Sequence, residues 1–192
     1  MDISKLCTDI KACTLCKETL SDGVRPVIQI SKSAKILIAG QAPSAKVHAS
    51  GIPFDDASGD RLRDWMGIDR KMFYDAEQIA ILPMSFCYPG KGKSGDLPPP
   101  TICATTWRRN IMSVMPNIAL TLVIGQYAQA WHLDNVKRNL TETVKSWQSY
   151  PDNLLPLPHP SPRNNIWLKK NTWFEAEILP TLKSRVNETL KP

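Results

Sequence analysis

The chain has 192 residues, 42% of them hydrophobic, a formal net charge of +6 and a pI of about 9.1. This length allows one domain with a buried core, and the hydrophobic fraction excludes a disordered tail. No apolar run reaches the roughly 18 residues of a membrane-spanning helix, and the first residues lack an apolar signal core. We therefore expect one cytoplasmic domain over residues 1–192. A basic surface suits a polyanionic partner, although many soluble proteins are mildly basic.

The hydrophobic pattern predicts helices and strands that alternate along the chain. The first helix extends to about residue 20, with Leu6, Ile10 and Leu15 as apolar anchors. In chain order there follow a strand at 35–39, a helix at 60–66, a strand at 79–82, a loop at 87–100, a helix at 103–114, a strand at 121–124, a helix at 126–132, a strand at 154–157 and a helix at 173–186. We expect Pro180 to bend the last helix. This alternation indicates a mostly parallel sheet covered by helices on both faces.

Unusual residues follow each of the four predicted strands. They are Gly-Gln-Ala-Pro at 40–43, Pro-Met at 83–84, Gly-Gln at 125–126 and Pro-His at 158–159. In parallel sheets, ligands bind beyond the carboxyl ends of the strands. The pattern therefore predicts a binding site at that edge of the sheet.

Four of the five cysteines have spacings compatible with a metal site. Cys13 and Cys16 form a close pair, whereas Cys87 and Cys103 form a wide pair in a region rich in glycine and proline. Four thiolates bind either zinc or an iron–sulfur cluster, and the wide second pair favours the cluster. Buried free thiols are the alternative. Cys7 has no place in this set.

Three short motifs occur in the order seen in uracil-DNA glycosylases, and the chain resembles the iron–sulfur-containing family 4 of that superfamily. The motifs are Gly-Gln-Ala-Pro at 40–43, Gly-Ile-Pro-Phe at 51–54 and His-Pro-Ser-Pro at 159–162, and the cysteine spacing also matches. The resemblance covers residues 10–185 approximately. It implies an α/β fold, a three-layer α/β/α sandwich with a central four-stranded parallel sheet.

The resemblance further implies a monomeric hydrolase that excises uracil or another damaged base from DNA during base excision repair. It implies a 4Fe–4S cluster as cofactor, with zinc as the alternative, and the four cysteines as its ligands. DNA is the expected partner, and no membrane is involved.

The matched motifs also carry expected roles. His159 would donate a hydrogen bond to the base oxygen on which negative charge develops. The loop that contains Gln41 would place the attacking water, and Phe54 would stack on the flipped base. Ala42 and Pro83 would complete the base pocket. Ordinary core packing is the alternative for Phe54.

A second group of residues is expected to contact DNA. Ser161 suits a phosphate contact, and either Arg163 or Asn164 would enter the minor groove or fill the space that the base leaves. Lys93 lies in a glycine-rich loop that either binds phosphates or is a solvated turn. The basic pairs at 108–109, 137–138 and 169–170 are expected to be solvated faces.

Two departures from the family pattern weaken the prediction of catalysis. Gln41 replaces the glutamate of family 4, and Ala42 occupies the position of the catalytic aspartate of family 1. Asp55 and Asp56 are candidate substitutes, although a capping or solvent-facing role is the favoured interpretation.

The second departure concerns reading of the base. Family 4 has an asparagine at the position of Pro83, which has no side-chain donor or acceptor. Ser85 and Asn110 are the candidate replacements. A DNA-binding module of the same fold, with altered or lost catalysis, is therefore the alternative function.

Overall fold

The computed structural model describes residues 2–191 and contains one sheet of four parallel strands. The strands are β1 (Ile36–Ala39), β2 (Ile79–Ile81), β3 (Leu120–Ile124) and β4 (Leu154–Leu157). Their order across the sheet is β2-β1-β3-β4, and every neighbouring pair is parallel. The predicted parallel sheet is confirmed, and its four strands lie within one residue of the predicted bounds.

Nine α-helices connect and cover the strands within the described residues. They are α1 (Ile3–Lys11), α2 (Ala45–Ser50), α3 (Ala57–Met66), α4 (Arg70–Phe73), α5 (Thr101–Ser113), α6 (Gly125–His132), α7 (Leu140–Lys145), α8 (Asn165–Lys170) and α9 (Leu179–Leu190). The sequence pattern missed α2, α4, α7 and α8, because four to six residues are too few to display a helical period. None of these helices is long and apolar enough to cross a membrane.

Each strand has a core on both of its faces. In β1, Ile36 and Ile38 join one core while Leu37 and Ala39 join the other, because successive side chains point to opposite sides of a strand. One core contains side chains of α1, α5 and α6, and the other contains side chains of α3, α4, α7 and α9. This arrangement confirms the three-layer α/β/α architecture.

The N-terminal helix is shorter than predicted. It ends at Lys11, where Ala12 closes the last turn. Leu6 and Ile10 are buried as expected, but Leu15 lies beyond the helix and is half exposed. The prediction for Leu15 was wrong because an apolar residue at helical spacing does not by itself extend a helix.

The C-terminal helix is irregular next to Pro180. A wide π turn over Phe174–Ile178 precedes α9. Proline has no N–H to donate to the carbonyl four residues back, and a change of helical geometry accommodates the lost bond. The expected distortion therefore takes the form of a wide turn.

Candidate active site

A cavity of about 610 Å³ opens at the carboxyl edge of the sheet. One lining residue or more follows each strand: Gln41 after β1, Pro83 after β2, Gln126 after β3 and His159 after β4. This confirms the predicted convergence of the strand ends. Other lining residues to which the sequence analysis gave a candidate role are Ala42, Phe54, Asp56, Ser161, Arg163 and Asn164.

His159 is held in one orientation and one tautomer by its own loop. Its Nδ1 accepts a hydrogen bond from the backbone N–H of Ser161 at 3.2 Å. The neutral imidazole must then carry its proton on Nε2. The side-chain amide of Asn164 donates to the carbonyl of His159 at 2.7 Å, which closes the loop. Nε2 is therefore the hydrogen-bond donor that this side chain offers at the cavity.

The surroundings of His159 favour its neutral form. Burial lowers the pKa of its imidazole below the ordinary value of 6.5, and the charge of Arg163 lowers it further. Asp56 and Asp96 act in the opposite direction without reversing the shift. The imidazole is therefore uncharged at neutral pH.

Hydrogen bonds from α3 hold the segment after His159 in place. Arg61 donates to the carbonyl of Ser161 at 3.1 Å and to the Asn165 side chain at 2.8 Å. The side-chain amide of Asn164 is hydrogen-bonded within the loop. The side chain of Arg163, by contrast, is exposed and packs against Gly95. Of the two residues predicted to enter the DNA, Arg163 is the one whose side chain is free to do so.

Lys93 does not line the cavity, although its loop does. Ser94, Gly95 and Asp96 form part of the cavity wall, and Lys93 is exposed beside them. A Cβ at Gly95 would lie 2.9 Å from a guanidinium nitrogen of Arg163, so the loop and that side chain are in contact. Arg163 lines the cavity, and Lys93 is two residues from Gly95, which the Arg163 side chain contacts.

Phe54 occupies an unusual backbone conformation at the cavity. Its φ is +54°, in the left-handed region that non-glycine residues rarely adopt. Its carbonyl packs directly on Gly59 in the first turn of α3, and its ring lies against Gly40 and edge-on to Phe73 at 6.1 Å between centroids. The ring packs on Gly40 and Phe73 while the backbone packs on Gly59, so Phe54 is a fixed part of the cavity wall, as strained residues at binding sites often are.

The two carboxylates considered as substitutes for the missing catalytic acid are both engaged. Asp56 caps α3 by accepting from the backbone N–H groups of residues 58–59, and it also accepts from the hydroxyl of Ser44 at 2.7 Å. Asp55 forms an ion pair with Arg70 at 2.8 Å, and this hydrogen bond holds the pKa of Asp55 below its ordinary value. Asp56 therefore has the capping role that the sequence analysis favoured, and Asp55 is paired with Arg70.

Neither suggested replacement for the amide missing at Pro83 reaches the cavity. The Ser85 hydroxyl donates to a backbone carbonyl two residues on, and Asn110 is exposed on α5. The cavity instead contains Gln126 and Tyr127, from the first turn of α6. The sequence pattern had placed Gln126 at this edge of the sheet without giving it a role, and it missed Tyr127, although the position of Tyr127 just after a strand was a usable signal.

Arg108 contradicts the expectation of a solvated face at 108–109. Only 1% of its surface is exposed. It donates to the carbonyls of Leu82 at 3.1 Å and Pro83 at 3.0 Å, and its Nε donates to Nε2 of His132 at 2.9 Å. Arg109, the next residue of α5, is exposed as predicted. Arg108 faces the sheet, because the two side chains point in directions about 100° apart on a helix.

Among the four cysteines that share the predicted spacing, Cys87 and Cys103 have thiols whose pKa is well above the ordinary value. Burial raises the pKa of the Cys103 thiol to about 12, and the charges of the other three thiols raise it as well. Burial likewise raises the pKa of Cys87 to about 11, with Cys13 and Cys16 contributing. For Cys7, the charges that act besides burial are those of Lys11 and Asp2, so it lies outside the set.

One of these sulfurs also receives a backbone N–H group. The N–H of Phe86 donates to the Cys103 sulfur at 3.4 Å, and this hydrogen bond acts against the effect of burial on the pKa of Cys103. Across residues 2–191, no group of three or more His, Cys, Asp or Glu side chains is assembled tightly enough to hold a metal ion.

Comparison with known protein families gives a match over most of the chain. The family described as the uracil DNA glycosylase superfamily matches residues 27–183. The match contains all four strands and every cavity-lining residue named above, whereas Cys13 and Cys16 precede it.

Proposed function

The chain belongs to the uracil DNA glycosylase superfamily, and we propose that it hydrolyses the bond between deoxyribose and uracil, or another damaged base, in DNA. Such hydrolysis is the first step of base excision repair. The observation that carries the proposal is the geometry of His159. A neutral imidazole, fixed by Ser161 and Asn164, offers its Nε2–H at a cavity on the edge of the sheet.

The chemistry requires an anion stabiliser more than a strong base. When the glycosidic bond breaks, its electron pair leaves with the base, and negative charge collects on the base oxygens. An uncharged donor that is already in position stabilises this charge without reorganisation. Water then adds to C1′ of the electron-poor sugar and loses a proton to solvent or to the departed base. Gln41, at the cavity, can orient that water through its amide.

A flipped base needs a surface on which to stack. Phe54 lines the cavity. Its ring packs edge-on against Phe73, and its backbone carbonyl packs on Gly59. Stacking on an aromatic side chain contributes about 1–3 kcal/mol per base, which offsets much of the energy of unstacking. These contacts support Phe54 as the stacking residue.

DNA binding is supported by charge at the cavity mouth. The chain carries a net charge of +6, and Arg163 and Lys93 are exposed beside the opening. Basic side chains release counterions from the phosphate backbone, so binding should weaken steeply as salt is added.

A DNA-binding module without excision is the second candidate. It is favoured by Ala42, which supplies no carboxylate, and by the engagement of the two neighbouring acids: Asp55 is in an ion pair, and Asp56, although it lines the cavity, is bound as a helix cap. The two candidates share the cavity, the DNA contacts and the stacking surface. They differ only in whether an abasic site is formed.

One experiment separates the two candidates. The protein is incubated with single- and double-stranded oligonucleotides that carry uracil, hypoxanthine or xanthine, and alkali then cleaves any abasic site. Cleavage at a modified base is the expected result. Salt-dependent binding without cleavage would favour the binding module, and no binding even at low salt would contradict both candidates.

We also propose that Cys13, Cys16, Cys87 and Cys103 hold a 4Fe–4S cluster, as in the family 4 glycosylases that the chain resembles. Four thiols are the donor type that such a cluster takes, and the Cys103 sulfur accepts a backbone N–H group, a common partner of cluster sulfurs. Within residues 2–191 the four side chains are not gathered into a metal-holding group, so loading would have to bring them together. The cluster, when bound, would link the segment after α1 to the loop after β2 and to α5. Zinc is the alternative occupant of four thiolates.

Cys103→Ser is expected to reduce the iron content of the purified protein to background. The protein should also lose a brown colour that absorbs near roughly 400 nm, as thiolate-bound iron–sulfur centres do. Cys7→Ser is the matched control and should retain both iron and colour. A colourless wild-type protein that contains zinc would contradict the cluster, and equal iron loss in both variants would contradict this ligand set.

The lowered pKa of His159 predicts the acid limit of activity. Protonation removes the neutral donor state, and burial shifts that protonation below the ordinary value of 6.5. We therefore expect kcat to be constant above pH 6.5 and to fall at lower pH.

The same pKa shift of His159 also affects folding. The folded state prefers the neutral imidazole, so the stability that His159 contributes is fully present above pH 6.5 and is lost as pH falls towards the folded pKa.

The measurement is a pH profile of single-turnover excision, with His159→Asn as the reference variant. Its residual activity should not show the same acid inflection. An inflection above pH 6.5 in the wild-type protein would be incompatible with a buried neutral imidazole.

A further inference from the structure

We propose that Asp96 is a catalytic residue, the carboxylate that accepts a proton from the attacking water and so supplies the group that Ala42 lacks. Asp96 lies in the loop between β2 and α5, which none of the three matched motifs includes. The inference deepens the proposed function and rests on it, since it assigns one step of the same base excision.

Asp96 is the carboxylate at the cavity that has an oxygen available to water. Within residues 2–191, two carboxylates line the cavity, those of Asp56 and Asp96. Both oxygens of Asp56 are occupied, because Oδ1 accepts two backbone N–H groups of α3 and Oδ2 accepts the hydroxyl of Ser44. Oδ1 of Asp96 accepts from the hydroxyl of Tyr88 at 3.4 Å. Among the hydrogen bonds and ion pairs of residues 2–191, none involves its Oδ2.

A tight hairpin fixes the backbone at Asp96. Lys91 and Asp96 form an antiparallel bridge, and the N–H of Gly92 donates to the carbonyl of Gly95 at 2.6 Å in the turn beyond it. Tyr88, which donates to the carboxylate, is itself buried. The carboxylate is therefore located by its backbone and by one side chain, and a located group needs little reorganisation when water arrives.

Asp96 and His159 line the same cavity from distant parts of the chain. Burial lowers the pKa of His159, and the negative charges of Asp56 and Asp96 act against that shift, which agrees with carboxylates close to the imidazole. One cavity thus contains a neutral donor for the departing base and a carboxylate for the incoming water. Hydrolysis of a glycosidic bond uses both kinds of group.

The step balances with water as the only co-reactant. The C1′–N bond breaks, and its electron pair leaves with the base, whose developing anion accepts a hydrogen bond from Nε2–H of His159. A lone pair of the water oxygen forms the new C1′–O bond, and Asp96 takes one proton from that water. The proton then passes to the base anion, so a neutral base leaves and the carboxylate is restored.

Three variants separate the charge of Asp96 from its hydrogen bond. Asp96→Asn removes the charge and keeps an oxygen that can accept from Tyr88. Tyr88→Phe removes that hydrogen bond and keeps the carboxylate. Asp22→Asn is the matched control, because Asp22 is exposed and is not among the cavity-lining residues. Burial raises the pKa of Tyr88, and the charges of both Asp96 and Asp22 raise it further, so the control removes a charge from the same neighbourhood.

The readouts are the single-turnover rate on the base that the wild type excises, the affinity for the same oligonucleotide and the melting temperature. Rates are compared at a temperature at which all four proteins are folded. We expect Asp96→Asn to lower the rate at saturating enzyme by about 10²-fold, within the range that a general base contributes. Its affinity for DNA should be unchanged or higher, because it removes a negative charge from a cavity that receives a polyanion.

The other two variants should behave differently from Asp96→Asn. Tyr88→Phe should lower the rate by less than about tenfold, because the hairpin still places the carboxylate at the cavity. Asp22→Asn should match the wild type in rate and affinity. Asp96→Asn should also melt as the wild type does, since its side chain is exposed and keeps its shape.

A wild-type rate in Asp96→Asn would overturn the inference, and so would an equal loss of rate in Asp22→Asn. A loss in Tyr88→Phe as large as that in Asp96→Asn would assign the effect to the hydrogen bond and would also overturn it. The same holds if excess enzyme restores the rate of Asp96→Asn, since the defect would then lie in DNA binding. A wild-type protein that excises none of the tested bases would contradict the proposed function instead.

Discussion

Replacement of His159 by alanine is expected to lower the rate of base excision by about 10²–10³-fold, the usual effect of removing one donor from an anion-stabilising site. The donor is Nε2–H, since Nδ1 is occupied by the backbone N–H of Ser161. The defect should lie in kcat, because the interaction strengthens only as charge develops on the departing base. The measurement is single-turnover excision with enzyme in excess.

Two controls give this result its meaning. His159→Gln restores a side-chain N–H and should recover part of the rate. His48→Ala removes a histidine that is not among the cavity-lining residues and should leave the rate unchanged. Full activity of His159→Ala would exclude anion stabilisation by this side chain, and an equal loss in both alanine variants would indicate a general structural effect.

Gly59→Ala is expected to destabilise the protein by about 3 kcal/mol, at the upper end of typical overpacking effects. A Cβ at Gly59 would lie only 2.7 Å from the carbonyl carbon of Phe54 and closer still to its oxygen. Backbone atoms cannot rotate away as a side chain can, so either α3 or the Phe54 segment must move. Urea denaturation measures the loss of stability, and excision should fall with it because the stacking ring moves.

Gly23→Ala provides the matched comparison. Gly23 has a φ of +82°, and within residues 2–191 no atom other than those of Gly23 and its two chain neighbours lies within 4 Å of the position that a Cβ would take there. Its substitution therefore adds conformational strain without a collision, and it should cost about 1 kcal/mol. Equal losses of stability in the two variants would show that the contact between Gly59 and Phe54 is not tight.

Much of the fold could be predicted from local sequence. The runs that became β1 and β3 are apolar except for Thr121 and are followed by glycine, and they are buried on both faces as parallel strands must be. The short helices could not be predicted in the same way. Three of them, α2, α4 and α7, begin at a capping side chain, Ser44, Asp69 and Asn139, which stabilises a helix too short to have an apolar period.

The sequence predicted part of the candidate site, and the tertiary structure decided the rest. The order of the motifs was enough to nominate His159, Gln41 and Phe54, and the structure gathers all three around one cavity. The sequence did not decide between Arg163 and Asn164, because that choice depends on a hydrogen bond from Asn164 to the carbonyl of His159.

By itself, then, the sequence determined that strands and helices alternate. It also determined at which edge of the sheet the residues of the site lie. Both follow from the period and the order of residues along the chain. Only the tertiary structure decided that Asp55 pairs with Arg70 and that Arg108, adjacent to the exposed Arg109, is buried and bonded to the carbonyl of Pro83. The physical reason is that a polar side chain acquires its role from partners distant in sequence, and folding alone brings those partners together.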